Sequence, residues 1–202
     1  MAKVIFRYGA MGSSKTAQVI MAAYNYKERG RKVQIFKPSI EKRDGLEIIK
    51  SRCGLEANVI PIDKNTDFYA MFSDCQITGK KWGTLDCIII DEAQFLSKRN
   101  VEDLTQIADD LNVLVICYGL RTDFQGNLFE GSQWLLAWAE AIEEIKTICW
   151  CGKKATFNAR ICDGKIVKDG EQIQLGGNES YISLCREHWK TRNLGLISIE
   201  NS

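Results

Sequence analysis

The stretch Gly9-Ala10-Met11-Gly12-Ser13-Ser14-Lys15-Thr16 constrains this chain more than any other part of it. It follows the apolar run Val4-Ile5-Phe6 and opens the segment Thr16 to Arg29. There Val19, Ile20 and Ala23 share one helical face before Gly30 ends the pattern. A strand, a tight loop and a helix in that order make a phosphate cradle. Successive backbone N–H groups turn inward, and the helix N-terminus adds its positive dipole. The spacing is the Walker A pattern G-x-x-x-x-G-K-[ST], with Ser14 in place of the second glycine. It places Lys15 to reach the β- and γ-phosphates of a nucleotide and the Thr16 hydroxyl to bind Mg²⁺. Ser14 stands where positive φ is often required, at a cost of about 1 kcal/mol or more for a non-glycine residue. The loop is expected to form, with weakened nucleotide binding.

The rest of the first half supplies the sheet such a loop needs. Lys32–Lys37 reads as a strand ended by Pro38, Val59-Ile60 as a short strand, and Asp67–Phe72 as a helix. Asp86–Ile90 and Val113–Cys117 read as buried strands, and Val101–Leu111 as a helix between them. Ser132–Ala141 is predicted helical, with Trp134 and Trp138 on one packing face, while the polar stretch Lys42–Gly54 carries no clear pattern. Strands alternating with helices predict an α/β fold: a P-loop, RecA-like parallel sheet with helices on both faces. Near Cys149 the composition turns polar and glycine-rich. The predicted division is a core over 1–148 and a small C-terminal domain over 149–202.

A second motif is predicted to face the cradle. Cys87-Ile88-Ile89-Ile90-Asp91-Glu92 has the form of a Walker B strand, whose C-terminal end opens on the crevice where a nucleotide lies. Asp91 is then placed to hold Mg²⁺ and Glu92 to act as general base. The pair alone does not separate an ATPase, which activates water, from a kinase, which deprotonates a substrate hydroxyl.

Of eight cysteines, Cys87 and Cys117 sit in strand-like runs, and Cys53, Cys75 and Cys162 show no partner pattern. Cys149-Trp150-Cys151 and Cys185-Arg186-Glu187-His188 offer three thiols and the chain's one imidazole. That is the donor set of a closed, structural Zn²⁺ site, with no position left for water. The formal net charge is +1 and no long Lys/Arg run is visible, which argues against nucleic-acid or membrane partners. Met1–Arg7 lacks the apolar run of a signal peptide, so a cytoplasmic location is expected.

With these elements assembled, the chain resembles the type II thymidine kinases, in their bacterial branch, over nearly its full length. The residues that carry the likeness fall in separate segments. They are Tyr8-Gly9-Ala10-Met11 with Ser14-Lys15-Thr16, Tyr24-Asn25-Tyr26-Lys27-Glu28-Arg29-Gly30, and Asp91-Glu92-Ala93-Gln94-Phe95. Further on come Cys117-Tyr118-Gly119-Leu120-Arg121-Thr122-Asp123-Phe124, then Gly176-Gly177-Asn178-Glu179-Ser180-Tyr181 with the Cys185/His188 pair. The resemblance implies transfer of the γ-phosphoryl of ATP to the 5′-hydroxyl of thymidine. Glu92 matches the general base, and the ATP and Mg²⁺ set covers Gly9 to Thr16 with Asp91, Glu92, Ala93 and Gln94. The family's D-x-R element falls on Glu41-Lys42-Arg43, which keeps Arg43 as a phosphate contact.

The implied thymine pocket is Met11, Phe95, Leu120, Phe124, Phe129 and Tyr181, closed by a lasso loop spanning about Ile161 to Ser180. In that loop Gln172 and Gln174 stand where apolar contacts are frequent, and Asn158 falls near a base-contacting hydroxyl position. The family is commonly tetrameric and inhibited by thymidine triphosphate. From the residues alone, two other readings stay open: a RecA-like ATPase acting on nucleic acid, and a catalytically weakened nucleotide-binding regulatory module. Within the family, a kinase for deoxyuridine or another nucleoside is also open.

Overall fold

The computed structural model describes residues 2–42, 44–78, 85–172 and 181–195. In chain order the first part runs β1 (Val4–Tyr8), α1 (Lys15–Glu28), β2 (Val33–Pro38), a hairpin of β3 (Ile48–Lys50) and β4 (Glu56–Asn58), and β5 (Ile60–Ile62). It continues with α2 (Phe68–Thr78), β6 (Cys87–Ile90), α3 (Lys98–Leu111), β7 (Leu114–Gly119), α4 (Glu130–Trp138) and β8 (Ala141–Glu144). Six strands form one sheet in the order β5-β2-β6-β7-β1-β8, every pair parallel.

Strands buried on both faces read as unbroken apolar runs, and Ile88, Ile89 and Ile90 are each fully buried. Their alternation sorts the core into two layers. Ile88 and Ile90 join Val115 and Cys117 beneath Phe68, Phe72, Val101, Leu104 and Leu135 of the helices α2, α3 and α4. Cys87 and Ile89 join Ile116 and Tyr118 on the other face, beneath Val19 and Ala23 of α1. Helix α3 is fixed at its start by Ser97 and Asn100, whose side chains and backbone N–H groups bond reciprocally.

Two local readings of the sequence need correcting, and one stretch without a clear pattern holds a strand. The predicted helix over Ser132–Ala141 starts earlier, at Glu130, and stops at Trp138. Ala141 instead begins β8, which pairs parallel with β1 at Phe6 and Ile142. Glu140 directs the chain to that edge: its backbone N–H reaches the Val4 carbonyl at 3.1 Å and its carboxylate accepts from Val4 N–H at 2.7 Å. Such long-range pairing leaves no local period to read. Pro38 is the last residue of β2, not a stop beyond it, and lies opposite Ile62. Lys42–Gly54 contains β3, whose Ile49 is buried against the α1 layer.

Beyond Ile145 the chain forms a second, smaller packing unit. A short hairpin, β9 (Thr147–Ile148) with β10 (Lys154–Ala155), precedes β11 (Phe157–Cys162), β12 (Lys165–Val167) and β13 (Tyr181–Leu184). The last three make an antiparallel sheet in the order β12-β11-β13, followed by α5 (Arg186–Thr191). Cys149, Ala155, Ala159, Ile166, Leu184 and Cys185 pack together as a separate core. Among the described residues no helix is long and apolar enough to cross a membrane.

Candidate active site

The loop between β1 and α1 takes up the strained geometry its sequence predicts. Gly12 has φ +70° and Ser14 φ +61°, so Ser14 holds the left-handed conformation that favours glycine. Lys15 is buried, and its ammonium donates to the carbonyls of Gly9 and Ala10 at 3.3 and 2.9 Å and to Ser13 Oγ at 3.3 Å. The cation thus lies folded along the inside of its own loop. Gly9 is packed tightly: a Cβ there would come within 2.4 Å of Ser13 Oγ and 2.7 Å of the Ile145 carbonyl.

Asp91 and Glu92 leave the end of β6, two strands from β1, with β7 between. Asp91 is buried. Burial above all, then the neighbouring Glu92 carboxylate, push its carboxyl up to about 7, against hydrogen bonds from the Thr16 hydroxyl and the Glu92 N–H and the charge of Lys15. The Thr16 contact links the two sequence motifs directly. Glu92 is aimed by a left-handed backbone, φ +51°, and accepts a hydrogen bond from Gln94 Nε2. The other end of the Gln94 amide accepts from Leu120 N–H at 3.0 Å. Gly119 allows that approach, since a Cβ there would lie 2.9 Å from Gln94 Oε1.

Lys15, Thr16, Asp91 and Glu92 border one cavity of about 730 Å³, together with Gly12, Ser13, Ser14 and Gln94. The same cavity continues between Met11, Phe95, Leu120, Phe124, Phe129 and Tyr181. Phe95 and Phe129 meet edge to face at 5.7 Å and 79°, making an apolar corner. Glu41 and Lys42 border the cavity as well. Arg43 lies outside the described residues, as do Gln174 and the part of the expected lasso loop from 173 to 180. Gly9, Ala10 and Ala93 are not on the cavity surface: the first two present their carbonyls to Lys15, and Ala93 is fully buried in the core.

At the far end, the ligating atoms of Cys149, Cys151, Cys185 and His188 all lie within 4.8 Å of one another. His188 Nδ1 is 3.4 Å from both Cys149 Sγ and Cys185 Sγ, and Cys151 Sγ is 4.0 Å from Cys185 Sγ. Zn–S and Zn–N bonds of ordinary length at tetrahedral angles require S···N of about 3.5 Å and S···S of about 3.8 Å, so the four donors fit the ion. Burial raises the Cys149 thiol, but N–H groups of Cys151 and Cys185 and the His188 ring outweigh it and bring the thiol down to about 6. A thiolate at neutral pH is the form a metal takes. Trp150 stacks on His188 at 4.2 Å and 16°, fixing the imidazole plane.

The thymidine kinase family model matches residues 2–189. The thymidine kinase of Streptococcus pyogenes serotype M3 is 47% identical over 94% of this chain and 97% of its own. That of Legionella pneumophila (strain Lens) is 44% identical over 96% and 92%. The chain belongs to the thymidine kinase family. The thymidine kinase of Coxiella burnetii is similar to the same degree, 46% over 94% of this chain and 96% of that one. Among solved structures, the replication initiator DnaA bound to AMPPCP and single-stranded DNA aligns over 72% of this chain and 41% of that chain, at 20% identity and a TM-score of 0.41, too slight a likeness to argue from.

Several residues shape this kinase-family cavity through contacts that no local spacing shows, and of them Ser183 has no sequence signal at all. Asn158, buried on β11, accepts from Met11 N–H at 2.8 Å and donates to the Thr122 carbonyl at 2.9 Å. Ser183 Oγ donates to the Met11 carbonyl. The peptide groups of Met11 are therefore gripped on both sides by the smaller unit. Asp123, also buried, accepts from the N–H groups of Gln125 and Asn127 and from Gln172 Nε2 at 2.9 Å each. Gln172 borders the cavity by way of that bond, which is how an amide comes to stand at an apolar-favouring position. An adjacent Asp-Phe pair was visible in the sequence, but its partner 49 residues on was not.

Proposed function

We propose that this protein phosphorylates thymidine, transferring the γ-phosphoryl of ATP to the nucleoside 5′-hydroxyl. One observation carries the reading: Lys15, Asp91 and Glu92 border the same cavity as the slot between Phe95, Leu120, Phe124, Phe129 and Tyr181. A phosphate cradle alone fits any nucleotide hydrolase. A flat apolar slot beside it fits a pyrimidine acceptor.

The residues then divide the chemistry. The N–H groups of the Gly9–Thr16 loop, the Lys15 ammonium and Arg43 stabilise charge on the transferring phosphoryl group. Thr16 and Asp91 are the residues placed to hold Mg²⁺, which when bound with ATP neutralises charge between its outer phosphates. Glu92, steadied by Gln94, accepts the 5′-hydroxyl proton as the oxygen attacks the γ-phosphorus; the bond to the β-phosphate oxygen breaks and ADP leaves with its electron pair. Met11, Phe95, Leu120, Phe124, Phe129 and Tyr181 hold the base and exclude water.

Cys149, Cys151, Cys185 and His188 would hold a structural Zn²⁺, which would tie the β9–β10 turn to the start of α5. The functional division follows: 1–148 binds ATP, and 149–202 closes over the nucleoside. By family likeness the protein is a cytoplasmic homotetramer restrained by thymidine triphosphate. The test is an ATP-dependent phosphorylation assay across a nucleoside panel with single-stranded DNA as comparator. ADP formation that follows thymidine and ignores DNA is expected. ADP formation that follows DNA and ignores every nucleoside refutes the proposal.

A further inference from the structure

Arg160, midway along β11, is 5% exposed. Among the described residues no ion pair involves it. Burying a guanidinium without a carboxylate is unfavourable unless its donors and its faces are otherwise occupied. Here they are. Nε donates to the Tyr181 hydroxyl at 2.8 Å, across the β11–β13 pair where the two residues stand opposite each other. Nη2 donates to the Glu171 carbonyl at 2.9 Å, and the guanidinium carbon lies 3.7 Å from the centre of the Phe124 ring. Nη1 crowds Gly170, where a Cβ would come within 3.2 Å. Arg160 is not itself on the cavity surface, but Phe124, Tyr181 and Gln172, the neighbour of Glu171, all are.

One planar fork therefore touches three separate parts of the nucleoside wall: the turn after β7, the start of β13 and the chain running on from β12. A mobile ammonium cannot bond Tyr181 and Glu171 while stacking on Phe124, because it has no plane. A fold that needed only filler at this point would be served as well by an apolar side chain. We infer that Arg160 is a positioning residue for nucleoside binding: it locks Phe124, Tyr181 and the chain at Glu171 into one slot and leaves the phosphate end alone. The inference rests on the kinase reading above.

The experiment compares Arg160→Met and Arg160→Lys with the unaltered enzyme. It measures KM for thymidine, KM for ATP, kcat and the melting temperature. In both variants the thymidine KM is expected to rise about 10-fold or more, with the ATP KM within about 2-fold. Parallel rises in both KM values would mark a general structural role and overturn the inference, as would an unmoved thymidine KM. Should Arg160→Met fail to fold, Tyr181→Phe removes only the hydroxyl that Arg160 holds. It is expected to raise the thymidine KM by roughly 3-fold or more, and to couple with Arg160→Lys so that the pair falls short of the product of the single effects. An unchanged thymidine KM in Tyr181→Phe, or fully multiplicative effects, overturns it equally. An unaltered enzyme that does not phosphorylate thymidine brings down the kinase reading first, and this inference with it.

Discussion

At the proposed phosphate end of the cavity, main chain and strand ends set the geometry. The Gly9–Thr16 loop bends through Gly12 and Ser14, and Asp91 and Glu92 emerge where β6 stops. At the proposed nucleoside end, side chains set it by reaching across the fold: Asn158 and Ser183 to the Met11 peptide groups, Gln172 to the Asp123 carboxylate and the Leu128 carbonyl, Arg160 to the Glu171 carbonyl. The first half is held by a six-stranded sheet with a core on each face. The second takes Met11, Phe95, Leu120, Phe124 and Phe129 from that same body and Tyr181 from a unit held by a three-stranded sheet, a small core and four metal-type donors. The contrast teaches where each half is fragile. Chemistry should fail at the phosphate end through single groups, and the nucleoside end should fail as a unit.

The largest effect tests the phosphate end alone. Glu92→Gln removes the proton acceptor but keeps a side chain that can pair with Gln94, so turnover is expected to fall by at least about 100-fold with ATP binding retained. Near-normal turnover, measured at saturating substrates, would break the assignment. Next comes the nucleoside end. Stripping metal with a chelator, or Cys185→Ser, should weaken thymidine binding by about 10-fold or more while an ATP analogue still binds. Metal analysis should give one zinc per chain before and none after. Equal loss of both ligands would show that the two ends are not separable.

Asp91 sharpens the same contrast through pH. Its carboxyl is held above the ordinary value near 4 by burial and by Glu92, reaching about 7. The folded state thus holds a proton there that the unfolded state releases, and stability falls as pH rises between those values. Asp91→Asn removes the titration. Without nucleotide it should therefore unfold at higher temperature than the unaltered protein at about pH 8, with the gap shrinking toward pH 4. Melting curves across that range check it; a gap that widens toward acid contradicts the sign. The smallest effect concerns Ser14. Ser14→Gly should relieve the φ +61° backbone and stabilise the protein by up to about 1 kcal/mol, read from denaturant unfolding.

The same contrast explains what could be read from the residues. Gly9–Thr16 and Cys87–Glu92 are contiguous, so their geometry follows from local spacing, and the helix and strand periods around them lead to the layered sheet. Strand β8 was not legible, because it is short and its place depends on pairing between Glu140 and Val4, 136 positions apart. Tyr181 and Phe124 could be placed only by family likeness. Arg160 and Ser183 could not be placed at all: the hydroxyl of Ser183 finds its acceptor 172 residues earlier, and no spacing rule spans that distance.

The most direct measurement uses adenosine and thymidine joined at their 5′ positions by a short polyphosphate. If Lys15, Glu92 and the aromatic slot belong to one continuous site, the linked compound displaces both a bound ATP analogue and bound thymidine in equilibrium binding, one molecule per chain. Displacement of only one of them, with the other still bound beside the linked compound, would contradict the shared cavity.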